Sequence, residues 1–283
     1  MDTDADVVPR VHQSHQQRLR QRTPRQRAIG AGHPFELGAA DQILPTVVWR
    51  RQYPTHEVLA YLFGVSDSTV SRIIQRVLPI LEQSGRDTMR LPNPGKKRRR
   101  SLDELLKDTP ELAVVVDSFE QRVQRHKQPS EADKYCSGKK KQNTLKSQVA
   151  VDEHTGAVID VSKSVYGPTA DIELLKQSGL LERLPAGVGA IGDLAYLRMD
   201  QLHPQGLAAA PRRKPRGKPR PVEDVRYNRA FSRRRIIVEY TIGRMRRYQC
   251  LTQMDRQHRR DHQSRVIAVA GLVNRQIRHR FSA

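Results

Sequence analysis

Asp117 in LAVVVDSFE, Asp193 in GVGAIGDLAY and Glu239 in RRRIIVEYTIGRMRRY each end or interrupt a short apolar segment. Acids are the minority in this chain, 30 Asp plus Glu against 51 Lys plus Arg, for a net charge of +21. Carboxylates at the edges of apolar elements in so basic a sequence suit one chemistry in particular, metal-dependent attack on phosphodiesters. In such a reaction charge grows on the non-bridging oxygens of a pentavalent phosphorus. Two Mg²⁺ ions roughly 3.5–4 Å apart activate the attacking oxygen and stabilise the leaving one. Hard ions of this kind take carboxylate oxygens and keep some of their waters. One carboxylate can bridge both ions, a role expected of Asp117, with Asp193 and Glu239 on either side. The acids are separated by 193 − 117 = 76 and 239 − 193 = 46 residues, so only a fold can unite them.

Cations stand where such a site would need them. Arg235 lies four residues before Glu239 and Arg246 seven after it. On a helix these positions share one face, which would offer one carboxylate to metal and two guanidinium groups to a phosphate. Lys139, Lys140 and Lys141 follow Gly138 just before an apolar alternation, where they would lie either beside a phosphate of bound DNA or on a solvated hairpin flank. Each acid also has a plain structural alternative: Asp117 as a turn cap, Asp193 as a helix N-cap, and Glu239 paired with Arg235 on a solvated face. Asp152 reads as turn chemistry. Asp160 is a weaker candidate, and the scattered His126, His154 and His203 lack metal-ligand spacing.

The elements that must position these residues fall into four stretches. Residues 1–33, rich in Gln, Arg and His, read as a disordered basic arm. Residues 34–84 show helical periodicity, with Ile43, Val47 and Val48 on one helix and Val58, Leu59 and Leu62 on a second. A tight turn at Phe63-Gly64-Val65 leads to Ser66, a good N-cap for a third helix carrying Val70, Ile73, Ile74 and Val77. This is a helix-turn-helix whose outward Ser68, Thr69, Ser71 and Arg72 would enter a major groove. Residues 85–110, with LPNPGKKRRR, read as a basic linker.

From residue 111 to 283 the period changes. Leu112–Val116 is short enough for a buried strand, residues 146–165 form a hairpin around DEHTG, and 171–184 is helical. Val188–Ile191 is a strand with a helix expected after Asp193, PRRKPRGKPRP is a cationic loop, and helices cover roughly 229–248 and 260–280. The order gives an α/β (α+β) fold class: a ribonuclease H-like mixed sheet with flanking helices, preceded by an all-α helix-turn-helix domain.

So large a positive charge calls for a polyanionic partner, because Lys and Arg release counterions from a phosphate backbone. Two distant cysteines, Cys136 and Cys250, make neither a disulfide framework nor a zinc pattern. No run reaches the roughly 20 apolar residues of a membrane span, and the N-terminus lacks a signal-peptide core. A soluble, cytoplasmic protein is expected.

The helix-turn-helix, DSFEQRVQR, YCSGKKKQNTLKSQVAVD, GDLAY and YNRAFSRRRIIVEYTIGRMRRY, in this order, resemble the DDE superfamily endonucleases. These are transposases of bacterial insertion sequences, related to Harbinger-type nucleases, and the likeness runs from about residue 36 to 278. It implies a catalytic domain with two Mg²⁺ or Mn²⁺ ions held by Asp117, Asp193 and Glu239. It also implies cleavage at transposon ends and attack of the 3′-hydroxyl on target DNA. Partners would be double-stranded inverted repeats, target DNA and further copies of the chain in a homodimer or larger multimer. The family's Arg-x3-Glu-x6-Lys signature falls on Arg235, Glu239 and Arg246, with Arg in place of Lys. Leu194-Ala195-Tyr196 replaces a common Lys-Gly-Tyr, and Ala170 stands where a His often precedes the Asp, which sets Asp171 aside as a functional residue. The competing reading is a DNA-binding protein without chemistry, either a regulator or an inactive remnant.

Overall fold

The computed structural model describes residues 3–21, 37–94 and 112–282. Four helices come first: α1 (Thr3–Gln21), α2 (Ala39–Gln52), α3 (His56–Phe63) and α4 (Asp67–Arg86). Gly64, at φ +64°, takes the left-handed conformation that ends α3, and Ser66 Oγ then accepts from Thr69 N at 3.1 Å to start α4. The spacing of Val70, Ile73, Ile74 and Val77 is fulfilled, and all four are buried. On α3 only Leu59 of the three expected residues is buried, whereas Val58 and Leu62 are exposed. A helix of eight residues has room for a narrow apolar stripe, and here α4 takes just one side of it.

The disordered arm expected over residues 1–33 is corrected for its first part. Thr3–Gln21 is helical, and Val7 and Val11 are buried against Ile43, Ile73 and Val77. Two valines four residues apart were enough to give a polar segment one packing edge. Residues 22–36, and the Lys/Arg run of the expected linker at 95–111, lie outside the described residues. The linker's first residues continue α4 to Arg86.

Beyond residue 112 a seven-stranded sheet forms around β1 (Leu112–Arg122). The other strands are β2 (Cys136–Ser137), β3 (Gln142–Asp152), β4 (Val158–Val161), β5 (Val165–Tyr166), β6 (Val188–Ile191) and β7 (Ala208–Ala209). β3 lies antiparallel on one side of β1 and itself pairs with β2, β4 and β5. β6 and then β7 lie parallel on the other side. This mixed order, with a hairpin on one flank and two parallel strands on the other, is the ribonuclease H-like layout expected from the sequence. The hairpin turn closes as read, because Asp152 Oδ1 accepts from His154 N and Thr155 N at 2.9 and 2.8 Å.

Helices α5 (Pro129–Tyr135), α6 (Asp171–Ser178), α7 (Leu180–Arg183), α8 (Val222–Arg246) and α9 (His262–Ser282) complete the chain. The single helix expected over 171–184 breaks at Gly179, which is left-handed at φ +61°. The helix expected after Asp193 is two short 3₁₀ turns, Leu194–Tyr196 and Met199–Leu202. The strand expected to stop at Val116 runs on to Arg122, because β3 keeps pairing with it past Asp117. Asp117 is therefore an interior strand residue.

Alternation along β1 divides two cores. Val114 and Val116 pack with Leu175, Leu180 and Leu181 of α6 and α7. Ala113, Val115 and Phe119 pack with Phe231 and Val238 of α8, in a cluster that also holds Val266 and Val269 of α9. That second core also contains Trp49, Leu59 and Val70, so the helical unit and the sheet share one apolar interior. Helices α4 and α9 cross where Gly85 meets Gly271: a Cβ on Gly271 would lie 2.3 Å from the Gly85 Cα. Only glycine on both helices permits that approach. Asn274 reinforces the junction, accepting from Val158 N at 2.7 Å and donating to Val158 O at 2.7 Å and Thr88 Oγ1 at 3.0 Å.

Candidate active site

Asp117 and Asp193 come together through the parallel register of β1 and β6. The pairs Leu112↔Val188 through Val115↔Ile191 hold a constant offset of 76 residues, which is also the offset between the two acids. β6 ends at Ile191, so Asp193 lies two residues beyond the paired stretch, off the same end of β6 past which β1 runs on to Asp117. Their charges confirm the proximity. Burial first, and the negative charge of Asp193 second among the raising causes, push the Asp117 carboxyl up to about 6. Arg235 pulls in the opposite direction, as does the hydrogen bond from Ser118 N to Asp117 Oδ1 at 2.8 Å.

Asp193 does act as an N-cap, accepting from Ala195 N at 2.9 Å, so that structural alternative is real. It still leaves an oxygen available. Among the described residues, Oδ2 of both Asp117 and Asp193 has no hydrogen-bond partner. Two hard oxygen donors that repel each other, both half-buried, form a set that a divalent cation relieves.

Glu239 arrives from a separate element. Helix α8 is pinned over the β3–β4 turn by Arg234, whose Nε and Nη2 donate to the two carboxylate oxygens of Glu153 at 2.7 Å each, in a buried pair. About two turns further on, Thr241 Oγ1 donates to Gly156 O at 2.8 Å. These anchors turn Arg235 toward Asp117, with its Nε buried and unpartnered among the described residues. Glu239 follows one helical turn after Arg235 but is exposed, as is Arg246. Among the described residues no group of three His, Cys, Asp or Glu side chains lies close enough together to hold a metal ion. Two of the three acids are thus assembled, and the third stands on the adjoining helix.

Some neighbours of the pair escaped the sequence reading. Asp171, set aside for want of a preceding His, accepts from Ser118 Oγ at 2.6 Å and pairs with the buried Lys146 at 3.0 Å. Lys146 Nζ also donates to Thr169 O at 2.6 Å. Tyr196 is fully buried, and its phenol is pushed well above the ordinary value by burial and by the charges of Asp171, Asp117 and Asp193. A Cβ on Gly192 would lie 2.7 Å from the Tyr196 ring, so glycine there lets the ring fold back under the strand end. A lysine inside the apolar run of β3 was the one visible signal of this cluster.

In the helix-turn-helix, Ser68 and Arg72 are exposed, and Thr69 and Ser71 are half-buried. The Ser68 and Thr69 hydroxyls contact Ser66 Oγ at 3.0 and 2.9 Å, leaving Arg72 the freest of the four. Lys139, Lys140 and Lys141 are all exposed on the turn between β2 and β3. Asp160 pairs with Arg183 at 3.0 Å, away from the acids. Both cysteines are free, and no described helix is long and apolar enough to cross a membrane.

Residues 116–274 match the sequence profile described as "DDE superfamily endonuclease". Residues 36–87 match that of the "Helix-turn-helix of DDE superfamily endonuclease". The chain belongs to the DDE superfamily endonucleases. It is 30% identical over 244 residues to the "Probable transposase for insertion sequence element IS702" of Microchaete diplosiphon, covering 86% of this chain and 82% of that protein. No solved structure matches significantly. Family membership makes this a transposase-type endonuclease that binds DNA, and it agrees with the fold and the helix-turn-helix read from the residues.

Proposed function

We propose that this chain is an active insertion-sequence transposase that binds the inverted repeats of its element, cuts phosphodiester bonds at their ends and joins the freed 3′-hydroxyl to target DNA. Asp117, Asp193 and Glu239 are the catalytic and metal-holding residues of this reading. The observation that carries it is the closeness of Asp117 and Asp193 beyond the parallel pairing of β1 and β6, each with an oxygen unpartnered among the described residues. Two Mg²⁺ or Mn²⁺ ions bound there would supply the charge that activates the attacking oxygen and stabilises the leaving one.

The rest is the work of the chain's own groups. Arg235, half-buried beside Asp117, orients a non-bridging phosphate oxygen, and Arg246 two turns beyond Glu239 holds the next phosphate along the strand. Glu239 swings from the exposed face of α8 to complete the donor set when DNA is bound. Arg72, with Ser68, Thr69 and Ser71, reads or grips the duplex through the major groove, and Lys139, Lys140 and Lys141 neutralise the backbone. Because two ends must be joined, the working form is a homodimer or larger multimer on DNA, in the bacterial cytoplasm at the nucleoid.

The exposed position of Glu239 favours one other reading, a DNA-binding protein that performs no chemistry. Supercoiled plasmid and labelled inverted-repeat DNA, incubated with Mg²⁺ or Mn²⁺, separate the two. Nicking by the wild type that disappears in Asp117→Ala supports the site. Equal nicking by both proteins removes it, and no nicking by either leaves the binder.

A further inference from the structure

Between residues 112 and 282, six large apolar side chains are exposed among the described residues. Three of them directly follow a residue of the proposed site. Leu194 (46% exposed) follows Asp193, Ile236 (42%) follows Arg235, and Tyr240 (58%) follows Glu239. The other three, Tyr166, Val222 and Val225, have no such relation. Half of the exposed large apolar side chains in this stretch thus directly follow residues of the proposed site.

On α8 the rim forms a stripe. Successive helical residues turn by about 100°, so Ile236 and Tyr240, four apart, lie on one side of the Arg235–Glu239 line. Gly243, three residues after Tyr240, is exposed and has nothing within 4 Å of the place its Cβ would take, so the space beside the phenol is open. Arg233 and Arg247, each seven residues from Tyr240, are exposed on the same side. An aromatic ring in open space, with an aliphatic neighbour and guanidinium groups above and below, has the chemistry of a base-stacking platform on a cationic track. A phosphate oxygen could accept from the Tyr240 hydroxyl but leaves its ring and Ile236 nothing to bind, whereas a nucleobase turned out of the duplex offers them a π-face.

We propose that Tyr240, backed by Ile236, stacks on an unpaired nucleobase beside the phosphate to be cut, so that the protein prefers DNA whose strands are parted at that point. This rests on the nuclease reading for where the base lies, and its test does not depend on cleavage. Full-length wild type, Tyr240→Ala and Tyr240→Phe are compared, without divalent metal, on a blunt duplex and on a forked duplex of the same length. The fork carries 5-iodouracil at its unpaired positions for photocrosslinking.

The wild type and Tyr240→Phe should bind the fork more tightly than the blunt duplex. Tyr240→Ala should lose about tenfold in affinity for the fork alone, the order expected when one stacked base is lost. The crosslinked peptide should contain Tyr240. Equal fork affinity in wild type and Tyr240→Ala, an equal loss on both DNAs, or crosslinking confined to other segments would overturn the proposal. If the wild type stacks the base yet never cuts plasmid, the nuclease reading fails and the platform stands.

Discussion

Keeping Asp117 ionised works against folding, and the size of the effect can be read from its surroundings. Burial, Asp193 and Asp171 together raise its carboxyl from 3.8 to about 6, against the pull of Ser118 N and Arg235. At about 1.4 kcal/mol per pKa unit, the ionised form costs the folded state at most about 3 kcal/mol. The sign follows from linkage. The folded pKa is raised, so the neutral carboxyl's stabilising contribution is complete below 3.8 and disappears as pH rises through 6. Asp117→Asn is a neutral isostere that keeps an acceptor for Ser118 N. At pH 8 it should therefore be more stable than the wild type by about 1–3 kcal/mol, which for a protein of this size means a Tm several degrees higher. The gap should shrink toward zero as pH falls below 4. Millimolar Mg²⁺ should raise the wild-type Tm and leave the variant unmoved, because the variant has lost the charge that attracts the ion. Thermal unfolding of both proteins by circular dichroism, from pH 4 to pH 8 with and without Mg²⁺, measures this. An Asp117→Asn protein less stable than wild type at pH 8, or a gap independent of pH, would show that Asp117 is not held under electrostatic strain.

Two further outcomes follow from the site's supports. Glu153→Ala takes a carboxylate away from the buried Arg234, so it should destabilise the fold by about 3–5 kcal/mol in urea titration; pairing it with Arg234→Met should restore much of the loss. Arg72→Ala should weaken duplex binding and make the dependence of log K on log salt shallower by about one, as expected for one lost phosphate contact. A wild-type affinity that does not change with salt would count against a cationic DNA surface.

The sheet was legible because its signals are local. The apolar run at 112–116, the alternation of 146–151 and the DEHTG turn each specify their element without help, and each is present in the fold. The constant spacing of Asp117 and Asp193 was also in the sequence, but its meaning depends on a parallel register that no local pattern encodes. Helix α1 was missed because two valines in a Gln/Arg-rich stretch carry little signal until α4 supplies a surface for them. Lys146 and Asp171 were missed or set aside for the same reason: a charge within an apolar strand is informative only once its counter-charge, 25 residues away, is brought alongside.

Glu239 shows where the division between local and distant signals matters for function. Its helix is seated by groups that precede and follow it, Arg234 on Glu153 and Thr241 on Gly156, and none of these touches the carboxylate itself. The strand pair is rigid, fixed by backbone pairing on both sides of β1. Glu239 instead stands exposed on α8, a helix held to the β3–β4 turn by side-chain contacts. In a protein of net charge +21 that arrangement has a use. Three carboxylates forced together without cations or DNA would repel one another, whereas two on the sheet and one on the helix limit that repulsion until phosphate and metal arrive together. On the proposed reading such a site is completed by its substrate, so the acid that looks least engaged in the free protein is the one whose position should change most on binding DNA.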